Sequence, residues 1–224
     1  MVRILQSMSA LVVFFLCSLS LASDVPKVTF SYAEVFDSLC VKKTGDKIDP
    51  KWVSELTSRL PDLRSQWRKS GRVLLKTTVG MIGTKFDERE IGAVLSLCSL
   101  FPSLHDPLLI NMRYSLKSFT QTPLSTEVTL SIVYHEILHR YLKGKIPARS
   151  ALLTKYGSED ETVLRHLHLF AVQKATYLAL GLSKTLADIT KKDESLPNPS
   201  YKRAWEIVNS LEDYHSFLKE LTGS

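Results

Sequence analysis

The sequence has no internal repeat, no low-complexity tract and no excess of glycine or proline, with nine of each among 224 residues. A collagen-like repeat, a coiled coil and a wholly disordered chain are excluded on that composition. There is no Gly-x-Ser-x-Gly, no phosphate-binding Gly-Lys-Ser/Thr loop and no dinucleotide glycine pattern, so three common catalytic scaffolds lack their sequence marks. Charge of one sign is not in great excess. Lys plus Arg number 29 against 23 acids, a formal net charge of +6 spread along the chain. This favours solubility and loose attraction to acidic surfaces, and it is no nucleic-acid footprint. Beyond the first residues no segment is apolar enough to span a membrane. What is present, 44% hydrophobic and 23% charged residues, is the composition of one globular domain, expected over residues 23–224.

The N-terminus reads differently. Arg3 supplies a positive start, residues 10–16 are apolar, and Ser20 and Ala22 are small residues spaced as a signal-peptidase site requires. Residues 1–22 are expected to be a signal peptide cleaved after Ala22. The mature chain is then secreted or periplasmic, with no stable membrane anchor. Cleavage leaves two cysteines, Cys40 and Cys98, both in apolar surroundings. In an oxidising compartment they can form a disulfide, and as separate thiols they can equally well be buried. They are too far apart in sequence for paired metal ligation.

Periodicity predicts an α+β, helix-rich chain: a small sheet first, then a helical C-terminal half. A short strand is expected at 28–30 and a helix at 32–39. Asp49-Pro50 opens another helix as N-cap and first-turn proline, and Pro61 is expected to end it and restart the chain at 62–79. Residues 91–97 and 108–114 are the best strands, as a hairpin or as neighbours. From Ser125 to about Leu142 a helix is expected. Others follow at 150–156, from Ser158 to Leu180, and at 201–221, with a polar, lysine-rich stretch at 184–198.

Within the helix of 125–142 the chain reads His135-Glu136-Ile137-Leu138-His139. Residues four apart share a helix face about 6 Å apart along the axis, so His135 and His139 can hold one Zn²⁺ between them. Glu136 lies toward the same edge as the natural general base for a water at an open fourth position. The flanking Val133, Ile137, Leu138 and Tyr141 suit a helix buried beside a cleft, whereas Arg140 is an unusual neighbour for the second histidine.

On His135, Glu136 and His139, and on the order strands, motif helix, further helices, the chain resembles the zincin metallopeptidases over about residues 85–180. The resemblance implies a motif helix packed under a small sheet whose edge strand, here 108–114, binds an extended peptide. It implies a third ligand from a later helix, because Leu142 and Lys145 stand where the long form of the motif has Gly and His. That helix offers Glu159, His166 and His168. Glu159 lies at a gluzincin-like spacing, although Val163 replaces the acid expected four residues on. His166 and His168 are about 200° apart on a helix and cannot share a site. His168 lies on a small apolar face with Ala171 and Ala175. His166 lies with Gln173 and Tyr177, which offer a polar second shell, so His166 is favoured and the other two remain open. By the same resemblance Tyr156, Tyr177 and Tyr201 are candidate oxyanion donors, and each also suits a plain amphipathic core position.

The expected function is thus that of an exported zinc metallopeptidase acting on a peptide or protein substrate. Its site consists of His135, His139 and His166 as metal ligands and Glu136 as base. The alternative is an exported zinc-binding or interaction protein on the same scaffold without turnover. Three ligands and an open position mark the enzyme, and a fourth closing side chain marks the structural site.

Overall fold

In the computed structural model residues 25–98, 103–105 and 108–223 are described. The expected signal peptide, residues 1–22, lies outside them. Strand β1 (Lys27–Tyr32) is followed by helices α1 (Glu34–Thr44), α2 (Pro50–Gln66) and α3 (Arg72–Ile82), the last two joined without a break by a π-helical turn (Trp67–Gly71). Strands β2 (Glu90–Ser96), β3 (Ser103–His105) and β4 (Leu108–Asn111) complete a sheet of order β1-β2-β4-β3. The helical half comprises α4 (Thr126–Leu142), α5 (Ala151–Lys155), α6 (Glu161–Ala179), α7 (Ser183–Glu194), α8 (Pro199–Glu206) and α9 (Tyr214–Thr222). The architecture is α+β and helix-rich, and one apolar core runs from Val25 to Leu221.

β1, β2 and β4 are parallel, with Val28 opposite Ile91 and Val94 opposite Leu109, whereas β3 is antiparallel to β4. The strands expected at 91–97 and 108–114 are therefore parallel neighbours and not a hairpin. In β2 the period of two is clear: Ile91, Ala93 and Leu95 are buried while Glu90 and Gly92 face out. In β4 Leu108, Leu109 and Ile110 are all buried, because it has a strand on either side and cover on both faces. β4 is thus interior, and the edge expected at 108–114 belongs to β3. The edge position follows from pairing partners, which hydrophobicity alone does not encode.

α1 is fixed to the sheet in two ways. Cys40 and Cys98 are joined as a disulfide with Cα atoms 5.9 Å apart. The buried Asp37 accepts hydrogen bonds from Ser96 Oγ at 2.6 Å and from the Leu97 backbone N–H at 2.8 Å. α2 opens at Asp49, which accepts from the Lys51 N–H. It does not end at Pro61. An interior proline removes a hydrogen bond and costs about 3 kcal/mol, yet Leu56 and Leu63 are buried on either side of it and hold the helix straight through. Arg64 at its end donates to the Phe30 carbonyl of β1. In the π-helical turn, a Cβ on Gly71 would lie 2.3 Å from Trp67 Cδ2, so only glycine lets that indole lie flat against the backbone.

Two helical expectations change. The polar stretch 184–198 is mostly helix, α7, whose buried residues are Ile189 and Asp193 alone. So narrow a buried face leaves little hydrophobic periodicity to read. The single helix expected at 201–221 is two, because Glu212 is extended and Asp213 caps α9 by accepting from the His215 N–H. Glu212 is pinned there by Lys155 Nζ at 2.5 Å. Among the described residues no helix is long and apolar enough to cross a membrane.

Because the disulfide closes a sequence separation of 58, it should contribute about 4 kcal/mol in the chain-entropy account. Reduction, or Cys98→Ser, is expected to lower the midpoint of thermal unfolding by about 10 °C. Calorimetry with and without reductant checks this, and an unchanged midpoint would show that α1 is held by Asp37 alone.

Candidate metal centre

α4 starts at Ser125, whose hydroxyl accepts from the Val128 N–H. Val133, Tyr134, Ile137, Leu138 and Tyr141 are buried, so packing surrounds most of the helix. Tyr134 hydroxyl lies 2.6 Å from Thr78 Oγ1 and donates to Thr176 Oγ1 at 2.9 Å, which ties α4 to α3 and α6. These contacts set the rotation of α4. One edge then carries His135 and His139, with Glu136 buried beside them at 7% exposure.

α6 starts at Asp160, which accepts from the Val163 N–H, and crosses α4 so that His166 reaches the same edge. The ring centroids are 4.9 Å apart for His135–His139, 5.2 Å for His135–His166 and 4.9 Å for His139–His166. One ring nitrogen from each lies within 4.8 Å of the other two, close enough to bind one metal ion. A point equidistant from three atoms so spaced is at most about 2.8 Å from each. The usual Zn–N distance is about 2.0–2.1 Å, so sub-ångström rotations suffice.

The hydrogen bonds set the tautomers these rings need. His166 Nδ1 donates to the Thr162 carbonyl at 2.6 Å, which leaves Nε2 unprotonated, and that Nε2 is buried without a hydrogen-bond partner. A buried polar atom without a partner is costly, and a lone pair aimed at two other imidazoles fits a metal ion. His135 Nδ1 faces Gln173 Oε1 at 3.4 Å, and Gln173 is fully buried. Burial, first, and then the neighbouring His139, His166 and Lys192 hold the His135 imidazole well below its usual pKa. Burial likewise lowers that of His166. Neutral imidazoles are the ligating form.

The other two candidates are engaged elsewhere. His168 points to the opposite side of α6, where its Nε2 lies 2.8 Å from Glu220 Oε2 and its ring meets Phe217. Glu159 accepts from Arg203 Nε at 3.0 Å and Nη2 at 2.7 Å. Among the described residues the metal-competent group is His135, His139 and His166, with no fourth ligand. Arg140 turns away from the site into an ion pair with Glu88.

Of the three candidate tyrosines, Tyr201 is the one beside the cluster, its ring 4.7 Å from that of His166. Its helix α8 is docked on the start of α6 by Ser200 Oγ donating to Asp160 Oδ2 and by the Arg203–Glu159 pair. Burial, then the charges of Glu136 and Asp193, push the Tyr201 phenol up to about 12, so it is a proton donor at neutral pH. Tyr177 is instead buried against Tyr134, and Tyr156 lies 3.4 Å from Glu212. Sequence reasoning missed Lys192 and Asp193 of α7. The buried Asp193 accepts from Trp205 Nε1 at 3.0 Å and from Lys192 Nζ at 2.7 Å. The four-residue spacing of Ile189 and Asp193 was the available signal.

No family model matches the chain, and no curated protein and no solved structure matches it either. The site is therefore defined by its own geometry, as a cluster of three histidines close enough to bind one metal ion.

The purified protein should carry about one divalent ion per chain and lose it in His166→Ala, whereas His168→Asn should retain it. Elemental analysis decides, and loss in His168→Asn alone would move the third ligand. A second expectation concerns the metal-free protein. Its buried His135 and His166 have folded pKa values below the unfolded 6.5, so the unfolded chain binds more protons below that pH. Stability should therefore be full above about pH 7 and fall as the pH drops through about 6. Denaturant midpoints across pH 5–8 measure this, and replacing His135 by Gln should flatten the slope.

Proposed function

We propose that this chain is an exported zinc-dependent peptidase of the zincin type. The observation that carries the reading is the convergence of His135, His139 and His166 with the buried Glu136 one residue along from the first of them. Three protein ligands without a fourth favour an open, catalytic site over a closed structural one. A motif helix packed against a mixed sheet with an antiparallel edge strand supports the zincin-like fold. The Cys40–Cys98 bond supports an oxidising compartment, and with it export.

His135, His139 and His166 would hold the zinc, with Thr162 and Gln173 orienting two of the rings. A bound zinc would supply Lewis acidity, polarising a scissile carbonyl and lowering the pKa of water. Glu136 takes a proton from the attacking water and passes it to the leaving amine, a role for a carboxylate shielded from bulk solvent. The Tyr201 phenol, protonated and beside the cluster, donates to the oxygen on which negative charge develops. Phe170 and Trp205, stacked at 4.1 Å, form an aromatic wall against His166 and His135.

Glu136→Gln conserves shape and leaves the three imidazoles in place. It should retain one zinc per chain and lose about 10³-fold in kcat on a peptide that the wild type cleaves. Zinc content and turnover measured on the same preparation test this. Undiminished turnover would remove Glu136 from the mechanism. Full zinc with no turnover in the wild type over a broad peptide library would point to the non-catalytic metal-binding protein instead.

A further inference from the structure

α7, which carries Lys192, packs against α4 and α6, the two helices that supply the three histidines. Lys192 Nζ donates to Asp193 Oδ1 at 2.7 Å, and Asp193, 3% exposed, takes the Trp205 indole N–H on its other oxygen at 3.0 Å. Trp205 stacks on Phe170, whose ring lies 5.2 Å from that of His166 and 5.8 Å from that of His135. The ion pair is thus anchored to the same aromatic wall that backs two of the three histidines. Lys192 is among the charges that lower the His135 pKa, after burial, His139 and His166, and Asp193 is among those that act on His166 and Tyr201.

The arrangement differs from an ordinary surface pair. A lysine beside a surface aspartate swings freely and contributes little. Here the aspartate is buried and its position is fixed by Trp205, so the ammonium is held in one place. Its side chain is 26% exposed, which leaves one flank open to a ligand. An ammonium has three donors, and among the described residues Lys192 Nζ uses one, on Asp193. The two remaining N–H groups suit an anionic acceptor, and in a peptide that acceptor is a carboxylate.

We propose that Lys192, held by Asp193, is a specificity-determining residue that docks a substrate carboxylate next to the scissile bond. This rests on the peptidase reading above. The carboxylate is either an Asp or Glu side chain or the free C-terminus, and these share one recognition chemistry. The preference is set by Lys192 itself, and Asp193 is a positioning residue that acts through it.

The test uses zinc-free wild type and Lys192→Met, which keeps the aliphatic stem, with four N-acetylated tetrapeptide probes. Ala-Ala-Glu-Ala-amide and Ala-Ala-Gln-Ala-amide compare side chains, and Ala-Ala-Ala-Ala as free acid and as amide compares termini. Affinity is read by nuclear magnetic resonance titration, which needs neither zinc nor turnover. Wild type should bind at least one carboxylate peptide about tenfold more tightly than its neutral partner, the low end for one charge-assisted hydrogen bond. Lys192→Met should remove that ratio and leave the neutral affinities within about twofold. Whether the Glu probe or the free acid carries the ratio identifies the source of the carboxylate. Equal affinities within both pairs in the wild type, absence of binding by all four probes, or a ratio that survives in Lys192→Met would each overturn the proposal. Failure of the peptidase reading shows separately, in the zinc content and the Glu136→Gln turnover.

Discussion

The crossing of α4 and α6 is the contact on which the site depends. Two histidines one turn apart on a helix define only a line, and a third nitrogen must come from elsewhere to enclose an ion. The crossing supplies it through His166, and it is held by apolar burial together with a buried hydroxyl network, Thr78–Tyr134–Thr176. Such a network stabilises only when every member is satisfied, and for that reason it specifies one rotation of α4 against α6. A rotation of one residue would carry His135 away from Gln173 and leave Tyr134 without its threonines.

Burial at this crossing also sets the chemistry. Desolvation holds His135 and His166 neutral, and the same desolvation keeps the Tyr201 phenol protonated. One physical cause thus yields bases ready for a cation and an acid ready for an anion. The cost is visible in the unpartnered His166 Nε2, which a metal ion would satisfy. Around the site, polar residues act as clamps. Glu159, attractive in sequence as a ligand, instead holds Arg203 and so docks the helix that brings Tyr201. His168 performs a similar service with Glu220, which also accepts from Ser150 and the Leu152 N–H, tying α5, α6 and α9 together.

Much of the helical half was legible because its caps are local. Ser125 accepts the Val128 N–H three residues on, and such a bond needs no tertiary partner. Errors fell where tertiary packing outweighed local preference. Pro61 is carried inside α2 by Leu56 and Leu63, and α7 is a helix whose buried face is one isoleucine and one aspartate. The edge strand was misassigned because β3 is only three residues long, and the pairing that makes β4 interior is set by register.

The sequence by itself determined the pair His135 and His139 with Glu136, because a period of 3.6 residues places i and i+4 on one face whatever surrounds the helix. It also determined the two cysteines, but not whether they meet. Only the tertiary structure decided that His166, and not His168 or Glu159, joins the pair, and that Tyr201 lies beside it. The reason is that these residues lie 27 to 62 positions from His139 or belong to faces that local periodicity leaves equivalent. Which face turns inward is chosen by burial against a neighbouring helix, a free-energy difference that no local window of sequence contains.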